Sequence, residues 1–318
     1  MSMVQGRTGR DRQADALSRV WGMGALLALM LVFTLGCRRS TPVMPESPPD
    51  AIETVVEALG DNRPEVLWEA LPPSYQADLR ELIGTFCAHM DADIYDRAFR
   101  ILGKAVRVLG EQKEFVFNSP LALSTPLLES IMGSQWNDTV GLLNAISKSD
   151  ISSIESLRQM DPGQFLASTG SKVMSDLNRL RSRAQRSPGP NPWEVVGKAL
   201  KEARIDFVPG DGGQGQLIWT STKDDSIQEV ALTQVEGRWV PSEMAASWEA
   251  KVAEAKVNLT KLNSEEAKKA KPMITSVLTT LEGAMDALLQ AKTQQQFDQT
   301  LGGLTAIGAM LRIMRASR

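Results

Sequence analysis

The sequence predicts an α+β fold, predominantly helical, with a helical N-terminal domain, a small antiparallel β-meander and a C-terminal helical hairpin or bundle. Three observations predict it. Apolar residues recur with the 3.6-residue period of a helix through residues 50–186. Between Ile205 and Val240 the pattern changes to the alternation of half-buried strands, cut by glycine-bearing turns. From Ser242 the helical period returns and holds almost to the end.

Composition bounds what such a chain can be. Its 318 residues are 42% hydrophobic and 23% charged, which supplies a sizeable core and excludes a wholly disordered chain or a fibre. Lys and Arg number 35 against 38 Asp and Glu, a net charge of -3, so no whole-chain basic field exists to hold nucleic acid. A single histidine, His89, and two cysteines, Cys37 and Cys87, exclude a His- or Cys-rich zinc site and a multi-disulfide framework.

Residues 1–36 read as an export signal. Arg7, Arg10, Arg12 and Arg19 form a positive region, and the stretch from Val20 to Cys37 carries no charge. The positive-inside bias keeps the arginines in the cytoplasm and sends everything after Cys37 across the membrane. The junction Thr34-Leu35-Gly36-Cys37 resembles the bacterial lipoprotein signal at Gly36 and Cys37, with Thr34 where that family usually has Leu. The resemblance implies that Cys37 is lipidated and becomes the new N-terminus. An uncleaved signal anchor and an ordinary cleaved signal are the alternatives, and all three export the body. Losing residues 1–36 removes four Arg and two Asp, which leaves 31 basic and 36 acidic residues and a body at -5.

Residues 37–49, with four prolines, read as an extended tether. Asp50 with Glu53 makes a capping box for a short helix carrying Ile52, Val55, Val56 and Leu59, and Gly60 stops it. Pro72-Pro73 breaks the chain, and Ser74 caps a longer helix with Tyr75, Leu79, Leu82, Ile83, Phe86 and Met90 on one face. Further helical stripes span Ile94–Leu109, Leu127–Ile146, Ile151–Met160 and Phe165–Leu180, completing a helical domain over 50–186. Ser187-Pro188-Gly189-Pro190-Asn191-Pro192 can neither continue a helix nor pair in a sheet, so residues 187–192 are a linker.

Residues 193–244 hold the meander and a leading helix from Trp193 to Ala203. Strands fall at Ile205–Val208, Gln216–Thr222, Ile227–Val235 and Arg238–Val240, with turns at Gly210–Gly215, Lys223–Ser226 and Glu236-Gly237. The C-terminal helices occupy 245–318. The first is amphipathic from Ser242; Glu265–Ala291 follows, with Pro272 expected to kink or start it; Gln294–Ile313 is the last. Asp50–Leu59 and Val235–Pro241 resemble small α+β lipoproteins of the nuclear transport factor two-like (cystatin-like) family. That resemblance implies an early helix pair packed on a sheet that ends in a Gly-aromatic hairpin. The stretch Trp68–Gln76 is similar to envelope proteins of planctomycete bacteria. Neither resemblance carries a functional residue to this chain.

Each chemically suggestive group has an ordinary structural reading. Cys87 and His89 lie two apart on one helix, about 200° around its axis, so they cannot pair there and read as core-edge residues. Gly210-Asp211-Gly212-Gly213-Gln214-Gly215 has the spacing of a dinucleotide fingerprint, but a strand follows it, so it reads as a hairpin loop. Asp91, Asp93 and Asp96 read as helix-start carboxylates rather than a calcium loop. Lys172, Arg179, Arg181, Arg183 and Arg186 make a basic helix end, with contact to anionic headgroups or wall polymer as the functional alternative. Leu301–Leu311 is apolar and rich in small residues, which suits packing on Glu265–Ala291.

No residues are assigned to catalysis, to a cofactor or to a metal, and Cys37 is the one modification site. The leading expectation is a non-catalytic, lipid-anchored cell-envelope protein facing the periplasm or exterior. It meets the membrane through its anchor and binds or scaffolds an envelope protein or wall polymer, with no nucleic acid partner. A small-molecule or peptide-binding module with a pocket near Trp219 and Trp239 is one alternative, and a carboxylate-based hydrolase of wall polymers is another.

Overall fold

The computed structural model describes residues 44–120, 135–182, 192–221 and 226–304. The export signal, Cys37 and the end of the chain lie outside them, as does most of the 187–192 linker. The described chain is predominantly helical with one four-stranded antiparallel sheet. Helix α1 is Pro48–Gly60, α2 Glu65–Ala70, α3 Pro73–His89, α4 Ala92–Glu111, α5 Lys113–Asn118, α6 Trp136–Ser147 and α7 Ile154–Gln159. Then α8, Pro162–Phe165, passes through a π turn at Leu166–Gly170 into α9, Ser171–Ser182. Helix α10, Pro192–Lys201, leads into β1 Ala203–Pro209, β2 Gln214–Ser221, β3 Ile227–Val235 and β4 Arg238–Pro241. Helices α11, Ser242–Thr260, and α12, Glu265–Gln290, precede a last helical stretch at 294–304.

Two expected helix starts are corrected. The first helix begins at Pro48, not at an Asp50 capping box: Ser47 takes the extended N-cap position and its side chain caps nothing. Proline's fixed φ and missing N–H suit the first turn, which is why the start moved upstream. Ser74 does not cap α3, which begins at Pro73 with Pro72 at the cap position. Instead the Ser74 N–H donates to Glu236 Oε2, 2.8 Å away, from the β3–β4 turn. The turn therefore satisfies an orphan helix donor that no local side chain reaches.

The tether is also shorter than periodicity suggested. Met44 is 7% exposed and belongs to a core cluster with Ala58, Leu59, Val66 and Met174. Trp239 Nε1 donates to the Glu46 carbonyl at 2.9 Å, so residues 44–49 are part of the body. Extended Pro-rich chain lacks a hydrophobic period, and such segments show their burial only in three dimensions.

Two further clusters hold the helices together. Ile83, Cys87, Tyr95, Ile154, Leu157 and Phe165 join α3, α4, α7 and α8, and the Tyr95 hydroxyl donates to the Ile151 carbonyl at 2.7 Å. Val108, Val116, Trp136, Leu288, Ala291 and Phe297 join α4, α5 and α6 to the C-terminal helices. Burying side chains such as Trp136 and Phe297, each 1% exposed, contributes about 1.5–3 kcal/mol apiece. Leu301 and Leu304 pack on this cluster, as expected for the apolar last helix; residues 305–311 lie outside the described residues.

The C-terminal helices pack chiefly on the N-terminal ones. Helix α11 lies on α3, where Trp248 stacks on Tyr75 at 3.9 Å and donates to Asp78 at 2.7 Å. Helix α12 runs parallel to α4, joined by Lys271 to Asp91, Arg97 to Thr279, Lys104 to Glu282 and Asp286, and Gln112 to the Leu289 carbonyl. Pro272 sits inside α12, past its first turn.

The sheet runs in chain order, β1-β2-β3-β4. Its register puts Ile205, Trp219 and Gln228 in one row and Phe207, Leu217 and Val230 in the next. Helices α1 and α10 pack on each other and along β1. The Phe207 ring lies over Gly215, where a Cβ would meet it at 2.4 Å, and reaches Trp239 edge-on at 5.0 Å. Gly215 is thus needed for close approach rather than for an unusual backbone angle.

Candidate functional site

The Trp219 row of the sheet opens into a cleft. Helix α10 ends at Lys201 and packs beside β1. Leu217, one row along, is 4% exposed, whereas Val230 across from it is 43% exposed. The result is a partly open cleft of about 240 Å³ between the end of α10 and the β2–β3 hairpin. Ala199 of α10 and Glu202 just past its end form one wall, Trp219 and Ser221 come from β2, Gln228 comes from β3, and Ser226 directly precedes β3. The Ser221 N–H donates to the Ser226 carbonyl at 2.9 Å, fixing the rim of the hairpin. Lys198 faces the Glu202 carboxylate at 3.8 Å.

A larger open groove of about 600 Å³ runs beside α12, lined by Lys268, Lys271, Thr275, Ser276, Thr279 and Thr280 among others. Its walls come from one helix. The Thr279 and Thr280 hydroxyls turn back onto the Thr275 and Ser276 carbonyls, and Lys271 is held by Asp91. Convergent groups from separate elements make a binding site, and of these two openings the Trp219 cleft has them.

The remaining sequence candidates fall into structural roles. Cys87 is buried in the core, burial pushes its thiol up from the usual range, and no hydrogen bond joins it to His89. Asp91 caps α4 by accepting from the Ile94 N–H at 3.2 Å, Asp93 pairs with Arg97 at 3.1 Å, and Asp96 accepts from the Ile154 N–H at 2.9 Å. Three carboxylates that read as a cluster thus serve three separate partners. Among the described residues no group of three His, Cys, Asp or Glu is placed to hold a metal ion.

The Gly210–Gly215 run is a short 3-10 turn with Gly212 and Gly213 at φ 68° and 75°, leading straight into β2. Arg179 pairs with Asp176 at 3.2 Å and Asp138 at 3.5 Å, Lys172 and Arg181 are exposed, and Arg183 and Arg186 lie outside the described residues. Trp239 is not in the cleft; it clamps the start of the body through Glu46. Among the described residues no helix is long and apolar enough to cross a membrane, and the leader and Cys37 lie outside them.

Glu202, Ser226 and Gln228 were not singled out by sequence. Once the hairpin register is known, Gln228 must stand opposite Trp219, but nothing local announces how α10 approaches the strands. Comparison with family models, curated proteins and solved structures gives no match to the chain.

Proposed function

We propose that the protein is an exported body of the bacterial cell envelope, tethered to the membrane through lipid on Cys37. It binds or scaffolds an envelope protein or wall polymer and performs no catalysis of its own. The observation that carries this reading is where the folded body begins. Met44 is buried and the Glu46 carbonyl is held by Trp239, seven positions and nine positions after Cys37. Seven residues reach at most about 25 Å when fully extended. Acyl chains on Cys37 would therefore hold the body close against the bilayer.

Each methylene buried in the bilayer contributes about 0.8 kcal/mol, and several chains together make release negligible. A body at -5 has no net attraction to anionic headgroups, so in this reading the acyl chains supply the main attachment. Cys87 lies in the core, where burial raises its pKa and disfavours the thiolate, so it is not among the groups this reading relies on.

Cys37→Ser is the test. The wild type is expected to incorporate labelled fatty acid and to partition with membranes, and the variant to do neither. If the wild type takes up no label while Cys37→Ser still pellets with membranes, the lipid anchor is wrong.

A further inference from the structure

We infer that the outer edge of β3 from Ile227 to Ala231 is a docking site for an extended, basic segment of an envelope protein, which joins the sheet as an added strand. This deepens the protein-binding branch of the proposed function and rests on it for where the partner is found.

The edge comes first. Strand β4 pairs with Leu232–Val235 and ends at Pro241, opposite Leu232, so among the described residues no strand flanks Ile227–Ala231. All five are exposed, Ile227 at 62%. Their backbone direction follows from the two ends of β3. The Ser226 carbonyl accepts from Ser221 on β2, and at the far end Val235 closes the two-residue Glu236-Gly237 turn against Arg238. Bonding alternates along an antiparallel ladder, so Ile227, Glu229 and Ala231 turn their N–H and C=O groups outward, away from β2. Edges are ordinarily blunted by Lys, Pro or a bulge. Strand β3 has no Lys, Arg or Pro, and its register with β2 is unbroken.

Charge selects the occupant. Glu229 is the only charged residue of β3 and sits at the middle of the free stretch. Among the described residues its carboxylate meets the Gln216 amide, at 2.6 Å. A second copy seated antiparallel on the same five residues needs a two-fold axis through Glu229, which sets two carboxylates directly across from each other. A strand with Lys or Arg at that place turns repulsion into attraction. Ile227 and Ala231 share a face with Glu229, and Val230 lies on the other, so the segment that fits carries apolar side chains around one central cation. Antiparallel addition reads it as Val-Ile-Lys-Thr-Val, from the residue opposite Ala231 to the one opposite Ile227.

The test titrates the full chain in zwitterionic detergent with labelled Gly-Ser-Val-Ile-Lys-Thr-Val-Ser-Gly, read by fluorescence anisotropy. This peptide is expected to bind about ten-fold tighter than a version with Glu in place of Lys, and Glu229→Lys, at an exposed position, should reverse the preference. N-methylation of the peptide's Lys amide removes the bond to the Glu229 carbonyl and should weaken binding about ten-fold. Bound peptide should also slow amide exchange across residues 227–231. The proposal is overturned if neither peptide binds, if the N-methylated peptide binds as the unmodified one does, or if Glu229→Lys leaves the preference unchanged. A free chain that is a dimer protected at residues 227–231 would overturn it as well, by giving the edge to a second copy. Failure of Cys37 to take up lipid would leave peptide binding untouched, so the anchor and the edge fail separately.

Discussion

Replacing Met44 by alanine tests where the folded body starts. As part of a solvated tether the side chain would contribute nothing to stability. In the structure it is 7% exposed, packed among Ala58, Leu59, Val66 and Met174, with Trp193 against the same cluster. Truncating a buried Met to Ala costs about 2–5 kcal/mol, and a residue at the edge of the body can relax, so the low end applies, about 2 kcal/mol. With a urea slope of about 3 kcal/mol/M the midpoint should fall by about 0.7 M. The assay is urea unfolding of the full chain in detergent followed by tryptophan fluorescence. Met44→Leu keeps the volume and should move the midpoint far less. An unchanged midpoint and slope for Met44→Ala would mean that the body begins later, and that Cys37 cannot hold it as close to the bilayer as proposed.

Two further outcomes follow from side-chain geometry. Gly215→Ala forces a methyl to within 2.4 Å of the Phe207 ring, so the ring must swing off the strand and lose its edge-on contact with Trp239. A loss of about 1–3 kcal/mol and a changed near-ultraviolet circular dichroism spectrum are expected; a wild-type spectrum and melting curve would contradict the packing. Asp91→Ala removes the α4 cap and the partner of Lys271, costing about 1 kcal/mol at pH 7. The hydrogen bond from Lys271 holds the Asp91 carboxyl below its ordinary value. A depressed pKa stabilises fully above the unfolded value of about 3.9 and loses that effect as pH falls through the folded value. The gap between wild type and variant should therefore close in acid, and a gap that stayed constant on acidification would refute the assignment.

Much of the local structure was legible from sequence because helix and strand leave short-range periods. The four strands fall where alternation put them, with edges moved by a residue or two, and the turn at Glu236-Gly237 is where glycine placed it. Asp161 caps α8, accepting from the Gln164 N–H at 2.8 Å, with Pro162 in the first turn. The cleft was half legible: Trp219 was named as a pocket residue, whereas Glu202, Ser226 and Gln228 required the register and the approach of α10.

By itself the sequence determined the predominantly helical α+β class, the position of the meander and the charged-then-apolar leader. These follow from contacts between residues three, four or two apart. Tertiary structure alone decided which helices became neighbours: α12 on α4 through Lys104 and Asp286, α11 on α3 through Tyr75 and Trp248. Glu236 shows why. A residue at φ 50° in a tight turn would ordinarily be Asn or Gly, yet its longer side chain reaches the Ser74 N–H at 2.8 Å. That bond closes a loop of more than a hundred residues, and its value depends on where the whole chain has gone, which no local pattern encodes.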